Sequence, residues 1–171
     1  MRNFLLEFIT PIVSILSIFI SYYLGQKSIR KDLLKKTIRY RYMEVYVPYI
    51  QFLAKESPFL AYPITNTDIA IKVNKMTLEN IQYLGVKSSE LAIKYYESLL
   101  DYLEYSDGNP DYPNAEKEIN AIFLQMTQEI LLEASLLSKE LHLVDLGQYF
   151  YNEISNYPCH TETIKQLNLK K

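Results

Sequence analysis

The sequence predicts an all-α protein, one N-terminal transmembrane helix continuing into a cytoplasmic helical bundle, and three observations predict it. The first is an apolar run from Phe4 to Leu24, FLLEFITPIVSILSIFISYYL. At about 1.5 Å per residue it makes a helix of roughly 30 Å, the thickness of a bilayer core. The second is that apolar residues recur at three- and four-residue intervals through most of the remainder. The third is that no alternating run flanked by paired turn signals appears, so no sheet is expected. The organisation read from this is a transmembrane helix over residues 1–25, a basic stalk helix over 26–57 and a helical bundle with a polar tail over 58–171.

The elements follow in order. Residues Gln26 to Ser57 extend the first helix, with a kink predicted at Pro48, whose missing N–H removes one backbone bond. Thr65-x-x-Asp68 has the form of a capping box before a helix to Leu84, with Gly85 as its C-terminal stop. Ser88 or Ser89 starts the next helix, which runs through about Tyr105 with Leu91, Tyr95, Leu99 and Tyr102 at helical spacing. The segment from Ser106 to Asn114 holds two Pro and one Gly and reads as a loop, with Asn114 placed to cap its successor. From Ala115 to about His142 the stripe Ile119, Ile122, Met126, Ile130, Leu137 and Leu141 marks a buried face, and His142 stands where an imidazolium would complement the helix dipole. A shorter helix from Val144 to Ile154 and a tail to Lys171 complete the chain. Sixteen Tyr and no Trp sit at intervals that place most tyrosines in a core or a subunit interface.

The polar residues of the apolar run are arranged, not scattered. Glu7, Thr10, Ser14, Ser17 and Ser21 are spaced three, four, three, four, and Asn3, Gly25 and Ser28 extend the same line. At about 100° per residue all eight fall within an arc of roughly 80°. Small and hydroxylated residues on one face of a membrane helix allow close helix approach or, in a ring of copies, line a water-filled path. These eight are the candidate pore-lining or helix-packing residues, and a homo-oligomer is the partner they imply.

Charge is divided unevenly. Residues 27–41 carry seven basic side chains, Lys27, Arg30, Lys31, Lys35, Lys36, Arg39 and Arg41, against Asp32, a net of +6, whereas Tyr42 onward carries ten Lys against eighteen acids, a net of −8. The positive-inside rule then puts the C-terminal body in the cytoplasm and the short N-terminus outside, in a single-pass protein. The seven basic residues are the candidate lipid-headgroup contacts, each worth about 1 kcal/mol near an anionic surface. The body is acidic, so no DNA partner is expected; Arg39-Tyr40-Arg41-Tyr42 interleaves base and aromatic in the manner of an RNA contact, but a topology signal accounts for it. The flank Ser-Tyr-Tyr-Leu-Gly-Gln-Lys is no signal-peptidase site. The lone Cys159 forms no internal disulfide, in keeping with a reducing compartment.

Chemistry-bearing patterns are few. Asp107, Asn109, Asp111 and Glu118 stand at positions 1, 3, 5 and 12 of a calcium loop, but Tyr112 occupies the position of the turn glycine, so an interhelical turn is the reading. Cys159, His160 and Glu162 do not make a closed zinc site from one chain. The four Gly are isolated, and no nucleophile motif is present. No enzyme, metal or cofactor is expected.

With one N-terminal span before a helical body of this size, the chain resembles the small membrane accessory proteins of type VI-B CRISPR systems. That resemblance implies a divergent HEPN-like helical domain, assembly into a membrane pore that strengthens antiphage defence, and an RNA-guided nuclease or phage component as partner. The HEPN ribonuclease signature is Arg followed four to six residues later by His; here Arg stands at 2, 30, 39 and 41 and His at 142 and 160, so the resemblance does not carry ribonuclease activity. The layout is similar also to prophage superinfection-exclusion proteins, which implies a membrane-tethered interaction module.

Overall fold

The computed structural model describes the backbone of residues 2–56 and 67–156, and the side chains of residues 16–56 and 67–156. Every regular element among them is helical: α1 (Arg2–Arg41), a five-residue π turn (Tyr42–Tyr46), α2 (Val47–Glu56), α3 (Thr67–Leu78), a 3₁₀ turn (Ile81–Tyr83), α4 (Val86–Ser106), α5 (Ala115–Glu140) and α6 (Leu146–Asn156). The all-α expectation holds. Among the described residues no helix is long and apolar enough to cross a membrane. From Lys27 charge recurs along α1 at short intervals, which ends any apolar window begun at Leu16. The transmembrane part of the expected fold class is therefore unsupported there; the side chains of Phe4 to Ile15, which open the predicted span, lie outside the described residues.

The chain divides into two compact units, Met1–Ile38 and Arg39–Lys171. The first is helix throughout its described backbone. The second is the bundle, in which α4 packs on α3 and α5, and α6 packs on α5. Helix α5 is central because it buries more than one stripe: Ile119, Phe123, Leu124, Met126, Ile130, Leu131 and Ala134 are all at or below 3% exposure, whereas a peripheral helix hides a single face. Ile122, Leu137 and Leu141 of the predicted stripe are only half-buried and pack on the rim of this core.

Four junctions carry detail that the sequence reading lacks. Just before Pro48 the helix widens into the π turn: the Val47 N–H reaches the Tyr42 carbonyl, a five-residue hydrogen bond. The wider turn accommodates both the missing donor and the ring of Pro48, which in an α-helix would press on the carbonyl of Glu44. Gly85 does not stop the preceding helix, which ends at Leu78; it is the extended residue (φ −72°, ψ 170°) that begins α4. Asn114 precedes α5 without a side-chain cap bond. His142 lies beyond α5, at φ 56°, with its N–H bonded to the Lys139 carbonyl at 3.1 Å and that of Leu143 to the Ser138 carbonyl at 2.9 Å. This pair of bonds closes the helix end in a Schellman motif. Thr65 of the predicted capping box lies outside the described residues.

Buried tyrosines dominate the core and find their hydrogen bonds inside it. The Tyr49 hydroxyl meets Thr127 Oγ1 at 2.8 Å and the Tyr95 hydroxyl donates to the Ala70 carbonyl at 3.1 Å, which satisfies groups that burial would otherwise penalise. Burial pushes both hydroxyls well above their ordinary pKa. Helix α6 seats on α5 through Gly147, where a Cβ would run into the Leu131 carbonyl and stand 2.6 Å from the Ser135 nitrogen. Asp145 caps the same helix, accepting the Gln148 N–H at 2.9 Å and the Ser135 hydroxyl at 2.8 Å.

Candidate functional site

Helix α1 exposes large apolar side chains over much of its described length. Leu16, Ile18, Phe19, Ile20, Tyr22, Tyr23 and Leu24 are 54–68% exposed; an α-helix turns successive side chains by about 100°, so seven such residues in nine positions occupy most of its circumference. A helix that is apolar nearly all round is normally buried in protein or lipid. The arc they leave free contains Ser17, Ser21, Gly25 and Ser28, all exposed. Apart from its chain neighbours and the backbone of its own helical turns, no heavy atom lies within 4 Å of the place a Gly25 Cβ would take. The other seam residues, Asn3, Glu7, Thr10 and Ser14, have side chains outside the described residues. Below the apolar turn Gln26 Nε2 donates to the Tyr22 hydroxyl at 2.7 Å.

The basic residues separate into two groups. Lys27, Arg30, Lys31, Lys35, Lys36 and Arg39 are exposed, as headgroup contacts require, and among the described residues no acidic side chain pairs with them. Arg41 differs. It is half-buried, donating through Nε to the Tyr83 carbonyl at 2.7 Å and through Nη2 to the Tyr46 hydroxyl at 3.2 Å. The base-and-aromatic tetrapeptide likewise dissolves on folding, since Tyr42 is in the core and the Tyr40 ring lies edge-on to Tyr83, centroids 5.4 Å apart. The buried Tyr42 ring is not free to stack on a base.

Arg41 belongs to a polar cluster centred on Glu133, which no sequence pattern announced. The Glu133 carboxylate accepts the Tyr46 hydroxyl at 2.7 Å, the Gly85 N–H at 2.9 Å and the Ser88 hydroxyl at 2.8 Å. Helix α4 has no cap from its own first residue; a carboxylate from α5 takes that place, at the end where the helix dipole favours negative charge. Burial first, then the bond to Glu133, raises the Tyr46 hydroxyl above its ordinary pKa. A Cβ on Gly85 would collide with the Glu133 carboxylate, so this contact requires glycine. With every oxygen engaged, the cluster ties α4 and α5 to the π turn and is a structural junction.

Among the described residues no group of three or more His, Cys, Asp and Glu side chains could hold a metal ion. In the loop after α4, Asn109 Oδ1 accepts the Asp111 N–H at 3.1 Å and Asn109 Nδ2 donates to Glu104 at 3.3 Å, which turns these side chains into the loop's own bonds, with Gly108 at φ 90°. Cys159, His160 and Glu162 lie outside the described residues. No family model, no curated protein and no solved structure matches the chain.

Proposed function

We propose that this chain is a homo-oligomeric protein of the bacterial inner membrane, a pore or membrane-perturbing effector in antiphage defence. Helix α1 enters the bilayer through its apolar N-terminal half, and copies meet through the seam from Asn3 to Ser28. The observation that carries this reading is the uncovered apolar circumference of α1 between Leu16 and Leu24, bounded by exposed cations from Lys27 to Arg39. Apolar side chains followed at once by lysine and arginine match the boundary between hydrocarbon and anionic headgroups. The defence role rests on the architectural resemblance to CRISPR accessory proteins.

Full-length protein mixed with vesicles of phosphatidylethanolamine and phosphatidylglycerol is expected to float with them and to release an entrapped dye. Protein that stays behind in the soluble fraction would remove the membrane reading. Flotation without release would leave the membrane and remove the pore. The second outcome favours a membrane-tethered interaction module, a reading to which a separate observation contributes: the bundle itself exposes an apolar stripe along α4.

A further inference from the structure

We infer that the outer face of α4 is a docking surface for a partner protein's helix, one that carries an apolar stripe flanked by lysine or arginine. The inference is independent of the membrane reading, since it concerns the bundle alone. Helix α4 turns Tyr95, Leu99 and Tyr102 into the core. A second apolar line runs along its other side: Val86, Ile93, Tyr96 and Leu100 are 79, 51, 42 and 46% exposed, with half-buried Ser89 between the first two and half-buried Leu103 after the last.

The intervals of this line, from Val86 through Ser89, Ile93, Tyr96 and Leu100 to Leu103, alternate between three and four residues. That is the a/d register of a helix meant to pack along another helix. At about 100° per residue the six positions fall within an arc of roughly 100°, and over 18 residues they form a seam of about 27 Å. Isolated exposed leucines are ordinary, whereas a heptad-spaced line that leaves four large apolar residues exposed on the outside of a folded bundle is what an interface presents.

Charge identifies the occupant. Glu90, Glu97 and Glu104 recur every seven residues along one margin of the line, all three exposed, and among the described residues none is in an ion pair; Glu104 meets only the Asn109 amide. They stand at the e positions, which in paired helices set the choice of partner. Beyond them on the same side lie Lys94 and half-buried Asp101, while Lys87 is turned to Glu129 at 3.7 Å. Two copies pairing α4 against α4 in antiparallel fashion would set glutamate ridge against glutamate ridge, and a parallel pair would need the positions of Ala92 and Leu99, which are buried in the bundle. An anionic bilayer would meet the same ridge with like charge. A basic amphipathic helix covers the apolar line and neutralises the ridge together.

The test uses the full-length chain and a synthetic helix of about 18 residues with Leu at its a and d positions and Lys flanking them; a second peptide carries Glu in place of each Lys. Fluorescence anisotropy is expected to show saturable binding of the basic peptide only, weakening as salt rises. Glu90→Gln, Glu97→Gln and Glu104→Gln together should weaken it roughly tenfold, and Ile93→Ser with Leu100→Ser should abolish it. Both variants change exposed positions, and unchanged circular dichroism is expected of each. Absence of saturable binding, equal binding of the two peptides, or an affinity indifferent to both variants would overturn the inference. A smaller particle for Ile93→Ser with Leu100→Ser would assign the face to a second copy instead. Loss of vesicle binding by that variant would assign it to lipid; either result also overturns it.

Discussion

At the residue scale, the helix ends of α5 and α6 show how individual side chains are held in place, and where the fit is imperfect. His142 occupies the left-handed position of a Schellman motif, φ 56°, where any residue with a Cβ costs about 1 kcal/mol relative to glycine. Its side chain is exposed, so nothing in the core is lost with it. His142→Gly is accordingly expected to raise the unfolding free energy by about 1 kcal/mol, measured by urea denaturation, an increase that glycine's unfolded-state entropy trims but does not cancel. An unchanged or lowered midpoint would mean that the imidazole makes a contribution outweighing the backbone strain. Asp145 behaves in the opposite sense. Partial burial by itself would raise its pKa, but the Gln148 N–H, the Ser135 hydroxyl and Lys139 favour the carboxylate and hold it below its ordinary 3.8. A carboxyl depressed by folding contributes stability that is fully present above the unfolded pKa and disappears as pH falls through the lower, folded one. Asp145→Asn is therefore expected to remove part of the acid sensitivity below about pH 4, so that mutant and wild-type stabilities converge in acid and separate above it.

At the element scale, helix identities were legible and their junctions were not. The periodic segments around Tyr95 and Ile119 carry apolar residues at 3.6-residue spacing, a signal that tertiary packing reinforces, so α4 and α5 lie where the pattern puts them. The junctions depend on groups far apart in sequence. Gly85 reads as a C-terminal stop because glycine commonly is one, yet it begins α4, since a glycine is what lets Glu133 of α5 approach the helix N-terminus. Nothing within the local window of Gly85 could reveal a carboxylate 48 positions away. Arg41 is another such case: its place in a basic run suggests lipid, whereas the Tyr83 carbonyl and the Tyr46 hydroxyl hold it in the bundle. Glu133→Ala should expose how much of the bundle hangs on this one residue. It removes the surrogate cap of α4 and leaves the Tyr46 hydroxyl without its acceptor, at a cost of about 2–4 kcal/mol by the usual size of a cap and a charged hydrogen bond. Hydrogen exchange should report the loss first at the amides of Gly85 to Ser89. Protection that falls evenly over the whole bundle would show that Glu133 does not act through the end of α4.

At the scale of the whole molecule, the two units answer to different physical demands. The bundle closes over its own tyrosines and aliphatics, and its residual apolar line on α4 is bordered by charge. The helix of unit 1 differs: between Leu16 and Leu24 its exposed leucines, isoleucines and aromatics leave only Ser17 and Ser21 small and polar, and these lie on the seam where copies are proposed to meet. The bland account of these serines is that each hydroxyl bonds a carbonyl one turn back, as Thr37 does to Leu33 at 3.0 Å, and this needs no partner. That account explains each serine separately but not their common face. Ser17→Leu and Leu16→Phe both add bulk to exposed positions of the same helix, yet Leu16 points roughly 140° away from the centre of the seam. If copies pack through the seam, Ser17→Leu should reduce the mass of the detergent-extracted particle measured by light scattering while Leu16→Phe leaves it intact, because only the first holds the backbones apart. Two particles of equal mass would mean that the helices do not meet through the seam. Helix α1 would then act as an anchor, and the interactions of the molecule would belong to the bundle.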